Sequence, residues 1–335
     1  RMQSDRSDTV SLQNINLELI RFRLDKLSGI LPYMPRITGL FSAEANYIQT
    51  ATSLQVSAEA GVEKLTYERQ PVGNIGLGAT WLPGDKGTHY LNAYFRSGDQ
   101  EVMTADAVLT QKNGRDSVEV NTTFEHFPLS LANAFMPDQV VAFTGDIDGG
   151  LYISGAMEKP KLSGDLSLDS VSVYARQAGA RYWFDNRPLK IENNQLIFNK
   201  FAIYTTSRNP FTIDGNIDFR NMENPTAKLN LRAQNYTLLD APRTKESMIY
   251  GKIFVDLDAT VRGPLDGLTM RGNMNLLGNT DVTYVLTDSP LTVEDRLGEL
   301  VTFTSFTDTT SVQATEVPTM SLGGMDMLML SLIHI

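Results

Sequence analysis

The sequence predicts an all-β chain of about twenty strands laid down in order, far more than a usual sheet holds, with helix confined to one or two short stretches. Three observations predict it. In LSGDLSL (162–168), Leu162, Gly164, Leu166 and Leu168 alternate with Ser163, Asp165 and Ser167. In FTIDGNIDF (211–219), Phe211, Ile213, Ile217 and Phe219 alternate with Thr212, Asp214, Asn216 and Asp218. A period of two places one apolar and one polar face on each strand, and no helical period fits it.

The second observation is repetition. A shift of 108 residues carries Gly155 and Gly164 onto Gly263 and Gly272. It also carries Leu162, Leu166 and Leu168 onto Met270, Met274 and Leu276, and Ile153 and Leu151 onto Val261 and Ala259. After a three-residue insertion, SVSVYA (170–175) falls on DVTYVL (281–286). Pro160 and Pro264 take the intervening turns, where a missing N–H is tolerated. Repetition at fixed spacing points to units stacked side by side, and the two copies are expected to be adjacent.

The third is the run of alternating segments along the rest of the chain. Ile15, Leu17 and Leu19 give way to Ile20, Phe22 and Leu24, a parity flip that requires a bulge. After a turn region with two prolines (29–39) come Leu54, Val56 and Ala58, then Ile75, Leu77, Ala79 and Trp81, and after WLPGDKG (81–87) Leu91, Ala93 and Phe95. Ala105, Ala107 and Leu109 lead to Asn113-Gly114, a strong hairpin signal, and Val118, Val120, Thr122 and Phe124 return from it. FPLSLANAFMPD (127–138) breaks the alternation and fits a short helix or turn. Leu229, Leu231 and Ala233 form a strand, and NYTLLDAPRTKES (235–247) reads as an irregular loop. Ile253, Val255, Leu257, Ala259 and Val261 then alternate with Asp256, Asp258, Thr260 and Arg262. In 288–303 the period becomes helical: Ser289-Pro290 opens a stripe of Leu297, Leu300 and Val301.

Composition excludes several function classes. The 335 residues are 41% hydrophobic and 20% charged, with net charge −10 and no cysteine. An acidic surface does not suit nucleic acid, and without cysteine there are no disulfides, thiolate metal sites or thiol nucleophiles. No run is long enough to cross a bilayer as a helix. The chain opens in mid-pattern and LSLIHI (330–335) reads as a translated sequencing adapter, so the expectation is a fragment cut at both ends.

The census for chemistry comes back empty. The pairs Asp146/Asp148, Asp214/Asp218 and Asp256/Asp258 lie on polar strand faces and read as solvated carboxylates. DIDGG (146–150) lacks the repeated spacing of a calcium turn, and His89 and His126 lack ligand spacing. Tyr182, Trp183 and Phe184 read as core or sheet-end packing rather than a stacking platform. No hydrolase, P-loop or dinucleotide motif occurs. The expectation is a protein that is not an enzyme, with no cofactor and no metal.

In their order, several segments resemble the carboxy-terminal part of the AsmA-like TamB family, in its Bacteroidota form, over about Leu12 to Thr310. They are F-P-L…F-M-P (127–137), G-x-I-x-G-x-L-x-I-x-G (145–155), K-P-K-L-S-G-x-L-x-L (159–168), the strand at 194–197, and DVTYVLTDSPLTVEDRLGELVTF (281–303). The resemblance implies an elongated, curved antiparallel sheet, open like a folded-over groove (a β-taco) and solenoid-like. It divides the chain into upstream repeat strands (1–126), a TamB C-terminal-type groove domain (127–310) and a truncated tail (311–335). It implies a periplasmic protein held in the inner membrane by a missing amino-terminal anchor, working with an outer-membrane barrel of TamA/BamA type. Two activities follow from it: carriage of phospholipid acyl chains between the membranes, or chaperone-like assembly of outer-membrane and autotransporter proteins. A passive surface β-structure or adhesin is the third reading. In a groove, the expected lining is Leu162, Leu166, Leu168, Ile213, Ile217, Phe219, Val255, Leu257, Met270, Met274 and Leu276. Alternation alone leaves open whether that face is a groove or the packed core of a sandwich.

Overall fold

The computed structural model describes residues 2–4, 11–28, 35–112, 115–136, 140–176, 179–243 and 249–284. They form a single antiparallel sheet of eighteen strands. The strands are β1 (Met2–Ser4), β2 (Ser11–Arg23), β3 (Ile37–Thr50), β4 (Leu54–Tyr67), β5 (Gln70–Pro83), β6 (Thr88–Ser97) and β7 (Gln100–Lys112). Next come β8 (Arg115–Pro128), β9 (Val141–Ala156), β10 (Lys161–Ala175), β11 (Ala180–Phe184), β12 (Leu189–Glu192) and β13 (Gln195–Tyr204). The last are β14 (Phe211–Asp218), β15 (Thr226–Ala241), β16 (Ile249–Pro264), β17 (Thr269–Leu276) and β18 (Asp281–Tyr284). Helix is limited, among the described residues, to one turn, α1 (Asp25–Ser28), and 3-10 turns at Asp85–Gly87 and Leu129–Phe135.

Pairing follows chain order from β1 to β10 and from β13 to β17. The short strands β11 and β12 share one lane, both pairing with β10 and β13. In the same way β17 and β18 share the lane beside β16. The sheet is continuous through β8, which pairs on both sides.

The repeat seen in the sequence holds in three dimensions. Ile153 stands opposite Leu162, and its counterpart Val261 opposite Met270. Gly149 opposite Leu166 and Ile147 opposite Leu168 correspond to Leu257 opposite Met274 and Val255 opposite Leu276. Gly164 and Gly272 are equivalent as well: a Cβ would sit 2.1 Å from the Gly150 carbonyl oxygen in one case and 2.3 Å from that of Asp258 in the other. Only glycine lets the neighbouring backbone come that close. The copies are not adjacent, however. The lanes of β11 to β15 lie between them, because the chain adds one lane at a time and cannot return to β10.

The sheet is bent by a recurring device. Register shifts occur between Leu19 and Phe22, Val62 and Leu65, Phe124 and Phe127, Asp169 and Ser172, Phe198 and Phe201, and Ala233 and Tyr236. Each contains a non-glycine residue with φ between 45° and 52°: Arg21, Lys64, His126, Ser170, Lys200 and Asn235. Left-handed backbone costs such residues about 1–2 kcal/mol. In five of the six, the next strand supplies an acceptor for the displaced N–H. Arg21 donates to Ser42 Oγ (3.0 Å), Lys64 to Asn74 Oδ1 (2.8 Å) and His126 to Asp148 Oδ1 (2.8 Å). Lys200 donates to Asp214 Oδ1 (2.8 Å) and Asn235 to Asp256 Oδ1 (2.7 Å). Bulges bend and twist the strand that carries them, so one in nearly every second lane curls the sheet.

This corrects two readings. Asp148, Asp214 and Asp256 are not merely solvated, since each caps a bulge. The stretch from Asn235 is not a loop at once: β15 continues to Ala241, its alternation hidden by two register shifts. The bulge expected in β2 is present, with Ile20 and Arg21 together opposing Ser42, so Ile20 points away from the apolar face and is 63% exposed. The Asn113-Gly114 turn, the helix at 289–301 and the tail at 311–335 lie outside the described residues.

Replacing Asp214 or Asp256 with Ala is expected to lower stability by about 1–2 kcal/mol each, the cost of an uncapped N–H. Asn keeps the acceptor, so Asp214→Asn should stay within about 0.5 kcal/mol of the parent in urea-unfolding midpoints. Equal losses for Ala and Asn, or none for either, would rule out the capping role.

Candidate apolar groove

Directly opposed residues on neighbouring strands share a face. Following the register from lane to lane therefore traces what each face offers across the whole sheet. From β2 to β16 one row reads Leu17, Ala45, Ala58, Ala79, Ala93, Ala105, Thr122, Leu151, Gly164, Ile191, Leu196, Ile217, Ala227 and Gly263. Thr122 is its single polar member. A flanking row runs without a break from Leu19 through Leu77, Phe95, Met103 and Phe124 to Leu166 and Leu189. The row on the other side runs from Ile15 through Val56, Trp81, Leu91 and Val120 to Ile153 and Leu162. One residue along each strand, the opposite face carries Asn16, Asn46, Ser57, Thr80, Asn92, Asp106 and Asn121 in succession.

The apolar face is the concave one. Phe135, in the 3-10 turn between β8 and β9, packs on Tyr67 of β4 with ring centroids 4.9 Å apart. In a flat sheet those lanes would stand about 19 Å apart. The turn reaches back over β4 and β5, and Asn133 holds it by bonding the Phe143 backbone at both its amide oxygen and nitrogen. Phe95 and Phe127, from lanes separated by β7, meet at 5.9 Å on the same face.

Two regimes share that face. Upstream it is open: among the described side chains of β2 to β6, the buried position is Gly78, which lies on the polar face beneath the Tyr94 ring. Leu77, in the middle of its row, is 52% exposed. Downstream it is filled. Val255 and Ala259 are each 2% exposed and Leu257 9%, packed with Tyr236, Ala233, Phe211 and Met274. The filling has a cause in the strand lengths. β14 begins at Phe211, opposite Ala233, so β15 beyond that point loses its neighbour in the lane. Side chains complete it: Tyr182 Oη donates to the Leu238 carbonyl (2.9 Å), Thr205 Oγ1 to that of Thr237 (2.7 Å) and Asn209 Nδ2 to that of Asn235 (3.0 Å). Ala180 of β11 then packs on Leu239 and Ala241, which closes the wall. Burial there pushes the Tyr236 and Tyr182 phenols up from their ordinary range.

The expected lining residues divide accordingly. Leu162, Leu166, Leu168, Ile213 and Ile217 lie half-buried on the traced face, and Phe219 is half-buried just past β14. Val255 and Leu257 belong to the filled core, with Met270 and Met274 packed against it. Leu276 shares the face but sits on the last lane, 47% exposed. The upstream half of the groove, from Leu17 to Phe124, was missed as lining. Its signal was the same alternation, which becomes a surface only once the register joins the strands.

Of the Tyr182–Phe184 cluster, expected to pack, Phe184 lies on Phe201 at 6.1 Å and Tyr182 packs against Ala180 and Leu239, but Trp183 is 40% exposed. Asp218 is tied to Arg220 and Gln195, and its carboxyl is lowered to about 2 by the Arg220 side chain. Among the described residues there is no cluster of His, Asp or Glu suited to a metal, and no helix long and apolar enough to cross a membrane.

The two regimes should respond differently to charge. Leu257→Arg buries an unpaired cation and is expected to cost about 4 kcal/mol or more, enough to expose the downstream half to proteolysis. Leu77→Arg can reach solvent, and its circular dichroism and melting are expected to stay close to the parent's. Unfolding of Leu77→Arg would mean that the upstream face is a packed core.

Residues 199–322 match the family model for the TamB C-terminal domain, a segment that starts inside β13 and takes in β14 to β18. Neither the curated proteins nor the solved structures contain a match to the chain. The downstream part of this elongated all-β sheet, residues 199–322, is thus similar to the C-terminal domain of TamB.

Proposed function

We propose that the groove carries phospholipid acyl chains between the inner and outer membranes, as a conduit without catalytic chemistry. The observation that supports this most directly is the set of three rows from β2 to β10, the middle one interrupted by Thr122, concave and left partly open to water. Taking an acyl chain through water costs about 0.8 kcal/mol per methylene, so on the order of 10 kcal/mol for a whole chain. Rows two residues apart form a strip about 14 Å wide between its outer rows. An acyl chain lying across the strands stays in apolar contact at every lane, and no step requires more than sliding to the next. In this reading the protein stands in the periplasm, held to the inner membrane by a preceding segment and meeting an outer-membrane barrel of TamA/BamA type.

A photoreactive residue at Ala58, Ala93 or Leu166 in the full-length protein is expected to cross-link phospholipid in cells. Leu77→Arg should leave the fold intact, abolish lipid cross-links downstream of β5 and reduce phospholipid delivery to the outer membrane. Cross-links to outer-membrane protein clients at those positions, with lipid absent, would replace the conduit with the assembly-factor reading. Normal delivery by folded Leu77→Arg would remove this face as the route.

A further inference from the structure

The sheet is not equally deep along its length. At the end where β4 turns into β5, the β6–β7 hairpin stops short. Its last pair with β5 is Ser97 opposite Ile75, and its last with β8 is Met103 opposite Phe124. Yet β5 begins at Gln70, and β8 continues to Pro128. Between those two ends the wall is notched, over a width of about 14 Å for three lane spacings in a flat sheet.

The notch opens onto the apolar face. Phe95 and Phe127 meet at its base with ring centroids 5.9 Å apart, and Phe124 stands edge-on to Phe127 at 5.8 Å. Val102, the unmatched residue at the register shift of β7, is 3% exposed, although Leu77, two lanes away, is 52% exposed. The edge of the notch is polar, with Glu68, Arg69, Asp99 and Glu125 all exposed.

The segment Leu129–Phe135 crosses the gap as a strap. It leaves β8, meets β5 and reaches β4, where the Phe135 ring rests on Tyr67 at 4.9 Å. Its Ala134 is 5% exposed, so the strap lies on other atoms and does not stand free of them. The two sides are held differently. On the near side Asn133 makes two hydrogen bonds with the Phe143 backbone, at 2.9 and 2.7 Å. On the far side the strap rests through Phe135, which is 56% exposed despite its ring contact. Segments with few buried contacts open at the lowest free energy, so the far side releases first.

We propose that Leu129–Phe135 is a side gate, hinged at Asn133 and latched by Phe135 on Tyr67, through which an acyl-chain amphiphile enters or leaves the groove. The nature of the cargo rests on the conduit reading above, whereas the opening of the strap does not. A molecule entering here slides its acyl chain onto Phe127 and Phe95, and from there onto the row of Leu77 and Phe124. Its polar head stays among the charged residues of the edge.

The absence of cysteine lets both parts be tested in the full chain. Val102→Cys is expected to react with a maleimide about tenfold faster or more once Phe135→Ala is added, because the open strap uncovers it. Tyr67→Cys with Phe135→Cys, bridged by a short bismaleimide, is expected to take up fluorescent phosphatidylethanolamine from vesicles about tenfold more slowly than the same protein unbridged. Val102→Cys labelling indifferent to Phe135→Ala would overturn the gate. Equal uptake by the bridged and unbridged protein would overturn it as well, by moving entry elsewhere on the face. Faster labelling with no uptake in either form would overturn the conduit reading, and with it the cargo assigned to the gate.

Discussion

The structure depends on one small interaction: a backbone N–H, turned out of the ladder by a left-handed residue, accepted by an oxygen on the following strand. Arg21, Lys64, His126, Lys200 and Asn235 each occupy such a position, and Ser42, Asn74, Asp148, Asp214 and Asp256 answer them. A bulge with an orphaned donor would add the loss of a hydrogen bond to its backbone strain. With the acceptor present, the strained residue is held, and the sheet is bent in nearly every second lane. Without that bending, a row of eighteen strands would be a flat sheet with one face wholly in water. The groove follows from the curl, and the curl follows from the capped bulges.

Curling alone does not decide whether an apolar face is filled or open. Side-chain size and strand length do. In the first lanes the middle row is alanine in five successive strands, and the flanking Leu77 is left 52% exposed. Further on, Phe211, Tyr236, Leu257 and Met274 reach one another, and the shortened β14 lets β11 and the 205–209 connection come over the face. One sheet thus holds a channel and a core in series, distinguished by what sits opposite each residue. A hydrophobic face is a site or a scaffold depending on its neighbours across the gap.

Much of this could be read from the residues. Period-two alternation named the strands, the parity flip near Leu19 located a bulge, and the 108-residue shift matched cross-strand pairs one for one. The carboxylates at 148, 214 and 256 could not be read. Alternation states which face a residue takes but not which strained N–H lies across from it, so a capping aspartate and a solvated one look alike. The end of β15 was obscured for a related reason: two register shifts within a few residues erase the period that marks a strand. The closed wall was hidden too, since it arises from the lengths of β14 and β15 in adjacent lanes, a relation between strands and not a property of either.

Strand order equal to chain order has a kinetic consequence. Each strand finds its partner as the segment just before it, so the loop to be closed is short and its entropy small. The polypeptide can zip up from whichever end is presented first, without waiting for a distant segment, as stacked-repeat chains do. Among the described residues, the contacts that break this locality include two that span three or more lanes: Phe135 on Tyr67, and β11 on β15. They are latches set after the zipper has passed. Pulling on one end should therefore release the sheet a few lanes at a time, with pauses at those two latches, while the lanes farther along stay folded.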